Sequence, residues 1–288
     1  MTEHAPAKIN LYLHVLGKRS DGYHLLDSLV VFAAPGSAAA DRVELSEAAA
    51  YSLKIEGPQA LGLKQEDAEK NLVTKALRAL AAKVQKPLNI AVTLHKNLPL
   101  ASGIGGGSAD AGAALRAAAK FWHLEKDHPA ISEAARETGA DVYPCLSGTP
   151  CYLDGTGHDT APALKQPRAF LVLINPYIPL PTAAVFALLQ GPFSPPARFE
   201  KRFATVEEFA AALALRRNDL QAVAIQLCGA IENVLAMLED QPGCLLARMS
   251  GAGATCFGLF AQEPEARHAA EKIRRQIREY WVAVTGIG

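Results

Sequence analysis

The sequence predicts an α+β fold. Strand-like and helix-like runs are mixed along the chain without the strict βαβ alternation of a doubly wound sheet. A strand leading into a glycine turn also occurs twice, around residues 88–107 and again around 245–254. With 288 residues, half of them hydrophobic and a fifth charged, the chain can bury a sizeable core in one large or two ordinary domains. A run of turn formers over 154–158 sets a boundary near residues 160–167, so 1–160 and 161–288 are expected as the two domains.

Taken in order, residues 5–16 alternate Ile9, Leu11, Leu13 and Val15 with Lys8, Asn10, Tyr12 and His14, the period of a half-buried strand. The polar face of that strand is either a functional row or a solvent face. Asp21-Gly22 marks a turn before a second strand, Tyr23 to Phe32. Short strands follow at 42–44, 51–55 and 88–94. Between them Leu72, Ala76, Leu77, Leu80 and Ala81 recur at helical spacing, with Asn71 as the cap. Helices are predicted over 109–122 and 130–138, the latter stopped by Gly139. A proline-bearing loop at 140–146 leads to a strand at 151–153, and the apolar run 170–174 reads as a buried strand. Thr182 is expected to cap a helix over 183–189, and three prolines make 191–197 a loop. Helices over 206–215 and 220–238, a strand at 245–249, a glycine turn at 250–254, a strand at 256–260, a helix over 263–280 and an edge strand at 281–285 complete the pattern.

The stretch Lys96 to Ala119 organises the chain. Glycine loses more backbone freedom on folding than any other residue, so Gly103, Gly105, Gly106 and Gly107 ahead of a helix need a reason. One reading is an anion site, in which bare backbone, free helical N–H groups and the positive dipole end meet a phosphate. Ser108 and Asp110 would then supply capping chemistry. The other is a flexible loop or a glycine-mediated close contact between two elements. A dinucleotide fingerprint lacks its third glycine here, where Ser108 stands, and no lysine follows the glycines as a Walker A loop requires.

Composition excludes other classes. Twenty-nine basic residues balance 29 acidic ones, so the basic excess of a general nucleic-acid binder is missing. Five cysteines without a C-x-x-C pair indicate neither a disulfide framework nor a zinc site. The start of the chain lacks the pattern of a signal peptide and no run of about 18 apolar residues occurs, so a cytoplasmic protein without a membrane span is expected. Nothing in the sequence sets an oligomeric state.

Phosphoryl transfer requires an acceptor in line, a carboxylate to orient or deprotonate it, and cations for the developing charge. Asp141, between a helix stop and a proline, is the best carboxylate, or else the cap of the next turn. Lys8 is the best cation, or else an exposed edge lysine.

Five segments occur in the order seen in one family: Ala5-Pro-Ala-Lys-Ile-Asn-Leu-Tyr-Leu, Arg19-Ser-Asp-Gly-Tyr-His-Leu-Leu, Pro99 to Gly112, Gly139-Ala-Asp-Val, and Met249-Ser-Gly-Ala-Gly-Ala-Thr. Over nearly its whole length the chain resembles the 4-diphosphocytidyl-2-C-methyl-D-erythritol kinase family of the GHMP superfamily, in the non-mevalonate isoprenoid pathway. The resemblance implies a two-domain GHMP-kinase-like fold, an N-terminal ATP-binding domain and a C-terminal domain with the site in the cleft between them. It implies that ATP phosphorylates the 2-hydroxyl of a cytidyl diphosphate substrate, with Asp141 as general base and Lys8 as its electrostatic partner. Asn71 and the run Pro99, Leu100, Ala101, Ser102, Gly103, Ile104, Gly105, Gly106, Gly107, Ser108 and Ala109 match the ATP side. Asn10, Tyr23, His24, Thr182 and Phe186 match the substrate side, with cytosine between Tyr23 and Phe186 and His24 on its edge. The alternatives are another GHMP small-molecule kinase of homoserine or mevalonate type, or a non-catalytic nucleotide-binding protein on the same scaffold.

The sequence departs from the family pattern at three places. Ala109 stands where the family has a second serine, which removes one hydroxyl from the phosphate side. Gly106 and Gly107 stand where the wider superfamily often carries serines, so the protein ligands to Mg²⁺ are unassigned and the ion is expected to ride on ATP. Pro144 sits three residues after Asp141 rather than two, with Tyr143 intervening.

Overall fold

The computed structural model describes residues 1–63, 67–155 and 159–288. In chain order its strands begin with β1 (Thr2–Pro6), β2 (Lys8–Asn10), β3 (His14–Lys18), β4 (His24–Phe32), β5 (Ala40–Glu47) and β6 (Ser52–Glu56). Helix α1 (Leu72–Lys83), strand β7 (Ile90–His95) and helices α2 (Gly106–Phe121), α3 (Pro129–Thr138) and α4 (Val142–Ser147) follow. Then come β8 (Cys151–Gly155), β9 (Asp159–Pro162), β10 (Ala169–Asn175), α5 (Thr182–Leu188), α6 (Val206–Ala214), α7 (Gln221–Leu227) and α8 (Ala230–Glu239). Strands β11 (Cys244–Met249) and β12 (Cys256–Phe260), helix α9 (Glu263–Gln276) and strand β13 (Trp281–Ile287) complete the order. The fold is α+β, and among the described residues β6 with β7 is the one parallel pair of named strands.

The chain forms two compact units, one of residues 1–7, 40–100 and 105–149, the other of 8–39, 101–104 and 150–288. Each is built from separated segments, and a cut at 160/161 would fall inside β9. Of the turn expected over 154–158, Asp154 and Gly155 lie in β8, and residues 156–158 lie outside the described residues.

In the first unit the sheet runs β1-β5-β7-β6, and α1 connects the parallel pair β6 and β7. Asn71 caps α1 as expected, its Oδ1 accepting from Val73 N–H at 2.9 Å. Leu77 and Leu80 on the inner face of α1 are fully buried, each stabilising by about 1.5–3 kcal/mol. Alanine-rich α2 packs on β1, β5, α1 and α4, which its small side chains permit. The proline-bearing segment after Asp141 is a helix, α4, rather than a loop. Pro144 sits in its first turn, where N–H groups lack intrahelical partners and a proline removes no bond.

The second unit has two sheets, β2-β4-β8-β9 with β3 also on β4, and β11-β12-β10-β13 with β13 at the edge. Helices α8 and α9 cover the latter and enclose an apolar core that includes Val172, Ile174, Ile231, Leu238, Phe260 and Ile273. The strand expected over 5–16 is divided: β1 pairs with β5, whereas β2 and β3 pair with β4. Its polar row is no solvent face. Lys8, Asn10, Tyr12 and His14 are all buried. Tyr12 donates to Asp27 Oδ2 (3.1 Å), and His14 Nδ1 lies 2.9 Å from Pro195 O. The helix expected over 220–238 is two helices, because it breaks at Cys228 and Gly229, where glycine weakens helical continuity. Helix α9 stops at Gln276 rather than 280. Helix α5 starts at Thr182 with Pro181 in the cap position and no side-chain cap, so Thr182 does not cap it.

Candidate active site

In the first unit, α2 opens from Gly105, which holds the left-handed conformation at φ 64°. The first helical bond runs from Ala109 N–H to Gly105 O (2.8 Å), so the N–H groups of Gly106, Gly107 and Ser108 precede the ladder. That is the donor arrangement an anion needs at a helix start. Neither Ser108 nor Asp110 caps α2, contrary to expectation. Asp110 is buried and turned inward to the Lys96 ammonium (2.7 Å), which also meets Asp41. Asp41 is further held by the N–H groups of Asn97 (2.5 Å) and Leu98 (2.8 Å). Burial pushes Asp110 well above the usual carboxylate range; Lys96 opposes this and the Asp41 charge adds to it. A side chain added at Gly106 would begin 3.1 Å from Lys96 Nζ, so this cluster lies directly under the first turn of α2. Sequence reasoning missed the cluster. Its one signal is a lysine closing a strand just before the glycine run.

Asp141 occupies the cap position of α4 at φ −81°, ψ −8°, yet its side chain makes no capping bond. The capping alternative is therefore corrected: Asp141 stands at the start of α4 without a side-chain cap bond. The intervening Tyr143 packs its ring under Arg136, with the guanidinium carbon 3.8 Å from the ring centroid. Asn71 serves as the cap of α1. Pro99 and Leu100 belong to this unit, as do Gly105 to Ala109.

In the second unit, Ala101 to Ile104 lie against the other glycine turn. Ser102 O accepts from Thr255 N–H (3.1 Å), Gly103 O from Ser250 Oγ (3.2 Å) and Ile104 O from Lys8 N–H (2.9 Å). Gly103 has φ 76°, and a Cβ there would stand 2.5 Å from Ser250 O and 2.7 Å from Gly253 N. Conversely, a Cβ on Gly251 would stand 2.6 Å from Gly103 O. The close-contact reading holds for one part of the glycine run. Gly103 mediates a close contact between elements, and Gly105 to Ser108 form the helix start.

Lys8 lies buried rather than exposed, although β2 ends its sheet. Two residues on, Asn10 gives its amide to Ser28 Oγ (2.8 Å) and its N–H to Ser250 Oγ (3.1 Å). Its Oδ1 is buried without a hydrogen-bond partner. Of the residues matched to the substrate side, the structure brings His24 and Phe186 together as stacked rings, 5.0 Å between centroids at 28°. Phe186 therefore faces His24. Burial, aided by the charge of Lys18, lowers the His24 pKa below the ordinary imidazole value, so the ring is neutral at neutral pH. The Tyr23 side chain is exposed, at 64% of its surface, and so is Thr182 at the start of α5. A cleft of about 280 Å³ in this unit is lined by Val15, Leu189, Pro192, Phe193, Arg217 and Asp219 among others, and none of the predicted site residues lines it.

Among the described residues no group of three or more His, Cys, Asp or Glu side chains converges as a metal site. The start of α2 offers N–H donors, which suit phosphate oxygens rather than a cation. Among the described residues no helix is long and apolar enough to cross a membrane.

Two family models match the chain, GHMP kinases N terminal domain over residues 71–149 and GHMP kinases C terminal over 199–282. A 4-diphosphocytidyl-2-C-methyl-D-erythritol kinase of Cereibacter sphaeroides is 51% identical over 98% of this chain and 98% of its own. One from Paramagnetospirillum magneticum is 46% identical over 97% and 95% respectively. Among solved structures, a 4-(cytidine 5'-diphospho)-2C-methyl-D-erythritol kinase matches all of both chains at 30% identity and a TM-score of 0.79. A homoserine kinase from Cytophaga hutchinsonii shares the fold at 17% identity and a TM-score of 0.67. The chain belongs to the GHMP kinases, and within them to the 4-diphosphocytidyl-2-C-methyl-D-erythritol kinase family of ATP-dependent small-molecule kinases.

Proposed function

We propose that this chain transfers the γ-phosphoryl group of ATP to the 2-hydroxyl of 4-diphosphocytidyl-2-C-methyl-D-erythritol. The observation that carries the reading is the 51% identity, over 98% of both chains, to a kinase named for that substrate. In the reaction the acceptor O–H loses its proton to the Asp141 carboxylate while its oxygen bonds to the γ-phosphorus. The bond from that phosphorus to the bridging oxygen breaks, and ADP leaves. Lys8 serves as the cation that balances charge on the acceptor oxygen. Asn71 and the segment Pro99 to Ala109 serve ATP, whose phosphates take the N–H groups opening α2. Any Mg²⁺ enters with the nucleotide.

On the substrate side, the stacked His24–Phe186 pair supports a cytosine site. A neutral imidazole offers the base edge one donor and one acceptor. The exposed Tyr23 supplies a further ring and Thr182 a hydroxyl. Asn10 contributes its unpartnered carbonyl oxygen. A cytoplasmic location accompanies this reading.

A coupled ADP-release assay tests it. The cytidyl substrate should turn over faster than its cytosine-free analogue, and equal rates overturn cytidine recognition. Asp141→Asn should lower kcat by about 10²–10⁴-fold, the usual contribution of a general base, while ATP still binds. Undiminished turnover removes Asp141 from the mechanism.

A further inference from the structure

Within the first unit, α2 and α4 are joined in a way that their sequences alone do not require. Gly112 lies in the interior of α2, where glycine weakens a helix and no positive φ calls for it. Its reason is the neighbour. A Cβ at Gly112 would stand 2.8 Å from Leu146 N, 2.9 Å from Cys145 C and 3.0 Å from Cys145 O. All three are backbone atoms of α4, which cannot turn aside as a side chain can.

One turn further along the same face of α2 stands Arg116. Its Nη1 donates to Cys145 O (2.9 Å) and Leu146 O (3.1 Å), carbonyls of the last turn of α4. Its remaining donors anchor it to β1, through Nη2 to His4 O (2.6 Å) and Nε to Glu3 Oε2 (3.1 Å). Cys145 N–H in turn bonds to Asp141 O at 3.3 Å. A short chain of rigid contacts therefore runs from α2 through the backbone of Cys145 to Asp141. Gly112 is six residues from the first residue of α2, about 9 Å at a rise of about 1.5 Å per residue.

We propose that Gly112 and Arg116 are positioning residues that set where the Asp141 carboxylate stands relative to phosphates bound at the start of α2. The inference rests on the proposed kinase reaction, and neither residue touches the reacting atoms. Gly112 permits the approach of the two helices, and Arg116 holds α4 at that distance. A misplacement of about 1 Å at a reacting group costs on the order of 10²-fold in rate.

The test is steady-state kinetics on folded full-length Gly112→Ala and Arg116→Lys, with folding verified by circular dichroism. Gly112→Ala should lower kcat by roughly 10–100-fold with KM for ATP and for the cytidyl substrate within about twofold of wild type. That split separates displacement of the base from general loosening, which would raise both KM values. Arg116→Lys keeps the positive charge but cannot reproduce the fork, so it should lower kcat with the same split. Wild-type kcat in folded Gly112→Ala, or a rise in KM with kcat unchanged, overturns the proposal. If Gly112→Ala does not fold, Arg116→Lys decides by the same criterion. Asp141→Asn, run in parallel, separates the two levels. Retained turnover there overturns the reaction itself, whereas an inactive Asp141→Asn beside a fully active Gly112→Ala refutes the positioning role alone.

Discussion

Replacing Lys96 by methionine removes the one cation from a cluster that holds two carboxylates out of water. The side chains of Lys96 and Asp110 are each 2% exposed and that of Asp41 is not exposed at all. Asp41 would keep the N–H groups of Asn97 and Leu98. Asp110 would lose the ammonium, and its other oxygen, Oδ1, already lacks a partner. Removing one partner of a buried pair costs about 3–5 kcal/mol, since the acidic groups left behind are out of water and have lost the donor that satisfied them. At about 2–4 °C per kcal/mol for a protein of this size class, the melting temperature should fall by roughly 6–20 °C. Thermal and urea unfolding followed by circular dichroism would measure it. The double variant Lys96→Met/Asp110→Leu should recover much of the loss, because replacing a whole buried pair with apolar groups is often neutral. A shift under about 2 °C for Lys96→Met, or a double variant no more stable than the single one, refutes the account of the cluster as a compensated buried charge.

The same cluster gives a pH dependence with a definite sign. Burial raises Asp110 in the folded state, so its contribution is full below the ordinary carboxylate pKa and is lost as pH rises toward the folded value. The stability advantage of wild type over Asp110→Asn should therefore shrink as pH is raised from about 4 upward, and a growing advantage contradicts the assignment. At the nucleobase, Phe186→Ala should raise KM for the cytidyl substrate by roughly 5–150-fold, the equivalent of about 1–3 kcal/mol of stacking, and leave KM for ATP unchanged. An unchanged KM for the cytidyl substrate would remove Phe186 from the site.

Where a residue's partner is close in sequence, its role was legible. Asn71 and the periodic leucines of α1 announce a capped helix because the cap binds Val73, two residues on. Asp110 could not be read this way. Its place after the glycines suggests a cap, but its partner is Lys96, which also meets Asp41 of β5. The alternation over residues 5–16 was visible, yet the burial of Tyr12 depends on Asp27, and Asp27 also takes an N–H from Ala197. Periodicity ran on through 220–238 because the apolar face continues across the break at Cys228 and Gly229. The family motifs gave the candidate residues, while geometry added what motifs omit: His24 stacks on Phe186, and Asp141 sits at a helix start without capping it.

The back-to-back glycine turns of the second unit bear on how the protein is made. Gly103 takes its fixed place only against the backbone of Ser250 and Gly253, and Thr255 N–H holds the carbonyl next to it. During synthesis α2 and its neighbours in the first unit are complete a hundred residues before that wall exists. A nascent chain that has reached β11 has the helix but not the support for the approach to it. Contacts this distant in sequence form late, since the loop they close must be ordered first. The settled form of the Gly103 turn is thereby deferred until the β11–β12 hairpin has been translated and folded, and chains interrupted before it carry an unsupported loop.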